Sequence, residues 1–331
     1  MAAVPESFTG TRAASVRFPE FFVVGHHKCG TTALYEMLKL HPQIFLPRIK
    51  EPKFFASDLQ PRFQPPRGHK LPRTVEEYLA LFADARPDQR TGEASPSYLF
   101  SHTAADAIAD VQPDARIVAI LREPASFLRS LHLQLLRSHV EVERDLLEAI
   151  SLAPARAQGR RIPRRSHVPQ LLQYPDHVRY VEQLRRYHAR FPREQVHVIV
   201  YDDFRDDNET TVRAVLRFLE VSDEHPVQQI NVKQTTRTIR SHQLDDVLRS
   251  LSLGRSPAYR AARAAVKSLT PRELRLRAFR TARRRAVLRE APPVDEDALV
   301  QLRRRFEPEV HALSEYLDRD LVALWGYDKL G

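Results

Sequence analysis

Apolar residues in this chain fall into short dense runs separated by segments with helical spacing. Phe21-Phe22-Val23-Val24 is such a run, ended by Gly25, and its unbroken apolar character predicts a strand buried on both faces. Over 31–40 the apolar positions Leu34, Met37 and Leu38 recur at helical spacing, and His41-Pro42 ends the segment. His41 at that place is expected to cap the helix. Residues 116–121 predict a second buried strand, followed by Arg122-Glu123-Pro124 and a long helix from Ala125. Residues 196–201 predict a third strand, which Tyr201 ends and Asp202-Asp203 closes. Helical patterns over 178–190 and 209–220 flank it. Strands separated by helices imply an α/β fold: a parallel sheet with right-handed crossovers, helices on both faces and a helical C-terminal part. One domain over 1–331 is expected, with 1–17 a polar flexible arm. The stretch 155–175, rich in Arg, Pro and Gln, reads as a surface loop or lid.

Composition narrows the class. The chain has 331 residues, 42% of them hydrophobic and 28% charged, and a chain of this length buries roughly three quarters of its unfolded surface. Cys29 is the only cysteine, which excludes an intramolecular disulfide and any multi-cysteine metal site. No apolar run approaches the roughly 18 residues that would span a bilayer. The start, Met1-Ala2-Ala3-Val4-Pro5-Glu6, lacks the features of a secretory leader. A soluble cytoplasmic protein is the expectation.

The net charge of +10 is local. Twelve Lys and Arg against two acids lie between Arg255 and Glu290, and the other 40 basic and 40 acidic residues balance. A uniformly basic nucleic-acid binder is therefore excluded, and no nucleic-acid partner is expected. The segment 241–292 reads as a basic helical element. It is either a solvated cover or a peripheral contact, through 255–290, with an anionic membrane or acidic acceptor.

The most informative segment is Gly25-His26-His27-Lys28-Cys29-Gly30-Thr31-Thr32, between the first strand and the first helix. Two of the nine glycines sit here, five residues apart, where a tight turn lets backbone approach a ligand. The helix start offers N–H groups and the positive end of its dipole to a phosphate. Thr31 and Thr32 add hydroxyls. The pattern departs from an NTPase P-loop because the lysine precedes the second glycine. His26 and His27, loop histidines with no partner pattern, are expected to be solvated.

Lys28-Cys29-Gly30-Thr31-Thr32 resembles the phosphosulfate loop of sulfotransferases that use 3′-phosphoadenosine 5′-phosphosulfate (PAPS), with Cys29 where serine is frequent. The likeness to carbohydrate-type members continues through Lys50-Glu51-Pro52-Lys53-Phe54-Phe55. It extends to Gly92-Glu93-Ala94-Ser95-Pro96-Ser97-Tyr98, with Ala94 where a lysine is usual, and to Arg122 with Ser130 eight residues later. The resemblance implies that PAPS is the co-substrate, bound by Lys28, Cys29, Gly30, Thr31, Thr32 and Ala33 at its 5′ end and by Arg122 and Ser130 at its 3′-phosphate. It implies that Tyr201 borders the adenine and that Lys233, Arg237 and Arg240 close over the 3′-phosphate. Lys28 would neutralise the departing phosphate. Glu51 would take the acceptor's proton, with Glu93 the second candidate base.

This chemistry needs no metal, and no His/Asp/Glu spacing suggests one. The acceptor would be a hydroxyl of a small molecule, glycan or lipid. Two other classes stay open: a P-loop-like kinase using Asp202-Asp203 for Mg²⁺, and a non-enzymatic protein that binds an anionic surface.

Overall fold

The structure, a computed structural model, describes residues 17–60, 71–228 and 295–330, together with the backbone of 237–239 and 288–290. The expected arm, apart from Arg17, and most of the basic segment 241–292 lie outside the described residues, as do Lys233 and Arg240. Contacts divide the chain into two compact units, Met1–Leu121 with Glu182–Asn231, and Arg122–Val181 with Val232–Gly331.

The first unit is built on five parallel strands: β1 (Phe21–Gly25), β2 (Ile44–Phe45), β3 (Arg90–Ala94), β4 (Arg116–Leu121) and β5 (Val196–Val200). Their order is β2-β3-β1-β4-β5. Every residue of β1 is buried, as are Ile117 to Leu121 of β4, so both sheet faces are covered at the centre. That is why these two strands read as continuous apolar runs. Strands β2 and β3 escape the same reading: β2 has two residues, and β3 (Arg-Thr-Gly-Glu-Ala) carries two charged side chains. The chain reverses its direction across the sheet between β1 and β4, and ligands of open α/β sheets gather outside the carboxyl ends at such a point.

Helices α1 (Thr31–Lys39), α2 (Val75–Leu79) and α3 (Ala104–Val111) lie in this unit with α8 (Tyr201–Asp206) and α9 (Asn208–Phe218). Tyr201 begins α8 instead of ending the strand, because the strand pairing stops at Val200. His41 is not the helix cap: Leu40 holds that place. The imidazole accepts from the Gln43 N–H at 3.2 Å and lies 2.9 Å from the Ser222 carbonyl oxygen, tying the helix end to the turn after α9.

The second unit contains α4 (Pro124–Ser138), α5 (Leu146–Ser151), α6 (Ala153–Ala157), α10 (Glu296–Tyr316) and α11 (Leu321–Leu324), while α7 (Tyr180–His188) begins in it. Helix α10 buries Leu302, Phe306, Val310 and Leu313, one stripe at 3.6-residue spacing. Backbone of 237–239 (β6) pairs antiparallel with 288–290 (β7). The stretch 155–175 is not all loop: it begins inside α6, turns helically over Pro169–Leu172 and buries Leu172 and Tyr174.

Candidate active site

In the first unit the site begins where β1 runs out. Gly25 has φ +138, and a Cβ there would stand 2.6 Å from the carbonyl oxygen of Ile120 on β4. Gly30 has φ +87 and forms the N-cap of α1; a Cβ there would meet the Tyr201 and Phe204 rings at 3.1 Å. Gly25 thus requires glycine for conformation and for space, and Gly30 for its conformation. Lys28 holds φ 73 without being glycine, a strained geometry of the kind kept at ligand-binding turns.

No side chain caps the start of α1, and its first turn carries no acid. Helices α2, α4, α5 and α9 are each capped by Thr74, Glu123, Asp145 and Asp207. Helices α3, α6 and α8 also lack a side-chain cap; the α1 start differs from them in following the Gly25–Gly30 turn, and its uncapped N–H groups suit an anion. Thr31 is buried and Thr32 half-buried at this start, and the Ala33 N–H donates to Gly30 O at 2.9 Å. Cys29 is fully buried, and its thiol approaches His27 O at 3.9 Å.

The two loop histidines are not solvated. His26 is buried with Nε2 2.7 Å from Gln183 Oε1, and burial lowers its pKa to about 3. This neutral imidazole fixes the residue two before Lys28. His27 stands with Nδ1 3.9 Å from the Glu51 carboxylate. Burial lowers its pKa to about 4; Glu51 opposes the shift, and Lys53, Lys50 and Lys28 add to it. The loop and the 50–53 block are thus electrostatic neighbours: Lys28, Lys50 and Lys53 all act on His27, and two of them, Lys50 and Lys53, flank the Glu51 carboxylate.

Glu51 itself sits at φ 62 and Lys53 at φ 56. The Glu51 N–H donates to Ala94 O at 3.1 Å and the Lys53 N–H to Ser95 Oγ at 3.1 Å. Phe54 stacks on Tyr78 at 4.6 Å, and Phe55 meets Phe22 and Tyr98 edge-on. The aromatic pair is an anchor that holds the carboxylate in place. Lys50 Nζ lies 2.9 Å from Oε1 and Lys53 Nζ 3.6 Å from Oε2. Burial works to raise the Glu51 pKa, but His27, Lys50 and Lys53 together bring it down to about 2. With His27 neutral near pH 7, the two lysines do this work there.

Glu93 is placed otherwise. Its side chain is 0% exposed, Oε2 accepts from the Tyr78 hydroxyl at 2.8 Å, and Oε1 has no hydrogen-bond partner among the described residues. Burial pushes its pKa up to about 7, against the Tyr78 hydrogen bond. Tyr201 is half-buried beside Gly30, at the loop.

In the second unit Arg122 opens a separate cationic cluster. Its Nε donates to Ser126 Oγ at 3.0 Å and Nη1 to Ser130 Oγ at 3.4 Å, while its carbonyl accepts from the Tyr180 hydroxyl at 2.8 Å. Burial and the Arg122 charge both depress the pKa of Arg129. Two guanidinium groups and two hydroxyls on one helix start suit a phosphate. The sequence reading missed Ser126 and Arg129; the signal available was their spacing of four and seven from Arg122. Arg237 lies in β6, and nothing is described of its side chain. Asp202 pairs with Arg205 at 2.8 Å. Among the described residues no three His, Cys, Asp or Glu side chains are grouped to hold a metal ion.

Comparison with known proteins shows the family. Residues 19–225 match the model of the sulfotransferase family. Human carbohydrate sulfotransferase 15 is 30% identical over 173 residues, 41% of this chain and 30% of that protein. Human bifunctional heparan sulfate N-deacetylase/N-sulfotransferase 3 is 30% identical over 213 residues, 62% of this chain and 22% of that protein. The chain therefore spans less than a third of the length of these relatives. The crystal structure of a sulfotransferase from Alicyclobacillus acidocaldarius superposes with a TM-score of 0.65 at 26% identity, covering 92% of this chain and 98% of that one. The chain belongs to the sulfotransferase family of enzymes.

Proposed function

We propose that the protein transfers a sulfuryl group from PAPS to a hydroxyl of a glycan, lipid or secondary metabolite. The observation that carries this reading is the uncapped start of α1 behind a Gly25–Gly30 turn with Lys28 held at φ 73. Both glycines hold positive φ, at 138 and 87, and the chemistry of this turn suits a phosphosulfate. Lys28 would meet the oxygens of the departing phosphate as charge develops there, and the α1 N–H groups would hold the same end. Arg122, Ser130, Ser126 and Arg129 would take the 3′-phosphate.

As the acceptor oxygen bonds to sulfur, the bond from sulfur to the bridging oxygen breaks. The nucleotide leaves as 3′,5′-adenosine bisphosphate, and the acceptor's proton passes to the Glu51 carboxylate. A base held at about 2 is weak in the free protein. An anionic donor beside the lysines offsets their pull, so Glu51 gains basicity when the donor is bound. Glu93, buried against Tyr78, would support the 94–98 block that clamps Glu51 instead of meeting the acceptor. The ion pair of Asp202 with Arg205 weighs against a kinase's Mg²⁺ carboxylate.

Two measurements test the reading together. Thermal shift should show stabilisation by 3′,5′-adenosine bisphosphate and none by ATP with Mg²⁺. Incubation with labelled PAPS and a panel of hydroxyl acceptors should move label to an acceptor. Stabilisation by ATP–Mg²⁺ alone would refute the proposal.

A further inference from the structure

Positive charge is divided unevenly between the two units. The second unit holds 31 Lys and Arg against 19 Asp and Glu, a net of +12, whereas the first holds 21 against 23. Within the described part of the second unit, one stretch is extreme: residues 149–175 contain five arginines and no acid.

One of these, Arg156, is internal. Its guanidinium forms a bidentate pair with Glu141, at 2.7 and 2.9 Å, and the two side chains are 1% and 0% exposed. The Tyr174 hydroxyl and the N–H groups of Val142 and Glu143 donate to the same carboxylate at 3.1, 2.8 and 2.9 Å. Burying two ions is costly unless geometry and further hydrogen bonds compensate; here the carboxylate is fully engaged, while Arg156 Nε has no partner among the described residues. The pair fixes α6 against the turn after α4.

The other four, Arg160, Arg161, Arg164 and Arg165, fall within six residues and are all exposed. Their backbone is ordered by hydrogen bonds: Gly159 and Arg160 donate to the carbonyls of Arg156 and Ala155, closing α6, and Ser166 donates to Pro163. Gly159 and Arg161 hold φ 76 and 55. A Cβ on Gly159 would meet nothing within 4 Å, so open space lies beside the turn, whose Ile162, Pro163 and Ser166 are half-buried while the four arginines face solvent. Among the described residues no carboxylate pairs with Arg161 or Arg164.

Shape and composition select the partner. Residues 149–171 contain no Phe, Tyr or Trp, so bases of a nucleic acid have nothing to stack on. Four exposed arginines within six residues of one turn can meet a flat anionic surface together.

We propose that the Arg160–Arg165 turn is a docking surface for an anionic phospholipid bilayer, to which the protein binds peripherally. The test is sedimentation of the full chain with vesicles of phosphatidylcholine, with and without about one third phosphatidylglycerol. Binding should require the anionic lipid. It should also fall as salt rises from about 0.1 M to about 1 M, where screening shortens from about 10 Å to about 3 Å. Each basic side chain at such a surface is worth about fivefold in partitioning, so Arg161→Asn with Arg164→Gln should weaken binding about 25-fold. Asn suits the positive φ of position 161, and the charge-preserving Arg161→Lys with Arg164→Lys should restore binding. Affinity for 3′,5′-adenosine bisphosphate should be unchanged in both variants, which separates failure here from failure of the transfer reading. Equal binding to pure phosphatidylcholine, or unchanged binding by the Asn/Gln variant, would overturn the proposal. So would a sulfated oligosaccharide that binds the wild type while the vesicles do not.

Discussion

The hydroxyl of Tyr327 donates a 2.7 Å hydrogen bond to Glu123, the carboxylate that caps the helix bearing Ser126 and Ser130. Glu123 accepts the N–H of Ala125 at 3.0 Å and of Ser126 at 2.7 Å, so a residue near the C-terminus sets the first turn of α4. Tyr327→Phe removes a hydrogen bond to a charged group, worth roughly 1.5–3 kcal/mol. The expected outcome is a severalfold weaker affinity for 3′,5′-adenosine bisphosphate with affinity for 5′-AMP unchanged, read by calorimetry. Equal loss for both ligands would make the contact merely structural.

Arg122→Ala should act on the same end of the nucleotide and more strongly. Only the bisphosphate carries a 3′-phosphate, and a charge-assisted contact of roughly 1.5–3 kcal/mol is about 10- to 150-fold in affinity. The ratio of the two dissociation constants, wild type against variant, checks it.

Lys28→Ala should lower the transfer rate by about 10²–10³ while leaving the melting temperature near that of the wild type, since it removes one donor aimed at developing charge. Full activity in this variant would refute the assignment of the loop.

Glu51→Gln keeps shape but loses basicity, so the rate should fall by about 10²–10⁴ with bisphosphate affinity changed less than about threefold. The pH profile provides an independent check. In the free protein the Glu51 carboxyl is held down at about 2, so kcat/KM should show no acid limb from this group above about pH 3. Lys53→Met removes a cation 3.6 Å away, and the limb should move up towards the ordinary carboxylate range. The same depressed pKa means Glu51 contributes stability above about pH 4.5 that is lost as pH falls towards 2.

Glu93 has the opposite sign. Its folded pKa lies near 7, above the unfolded value of 4.5, so the folded state binds more protons between them. Stability from this group is present below about pH 4.5 and declines as pH rises towards 7, at up to roughly 1.4 kcal/mol per pH unit. Glu93→Gln should flatten that decline and leave the variant more stable than the wild type at pH 8, measured by thermal melts across pH 5–8.

The central strands, the phosphate loop and the family are legible in the order of residues along the chain, because each depends on local pattern. An unbroken apolar run is enough to specify β1 or β4, and the Gly25–Gly30 spacing with its lysine is legible in the chain itself, whereas the atoms that crowd a Cβ there come from Ile120, Tyr201 and Phe204, far along it. The sequence also supplied Lys28, Glu51, Arg122 and Ser130 as single positions in motifs. Only tertiary structure decided what surrounds them. Glu51 and Glu93 are both acidic residues in motif blocks, yet lysines at 2.9 and 3.6 Å hold one ionised while burial against Tyr78 drives the other towards neutrality. The burial of His26 against Gln183, 157 positions away, and the bond from Tyr327 to Glu123, 204 positions apart, leave no periodic trace. Strand β3 was hidden for the same reason: its partners β1 and β2, not its own composition, make it a strand. Local pattern specifies elements, whereas charge state and side-chain orientation follow from neighbours that the fold brings from elsewhere in the chain.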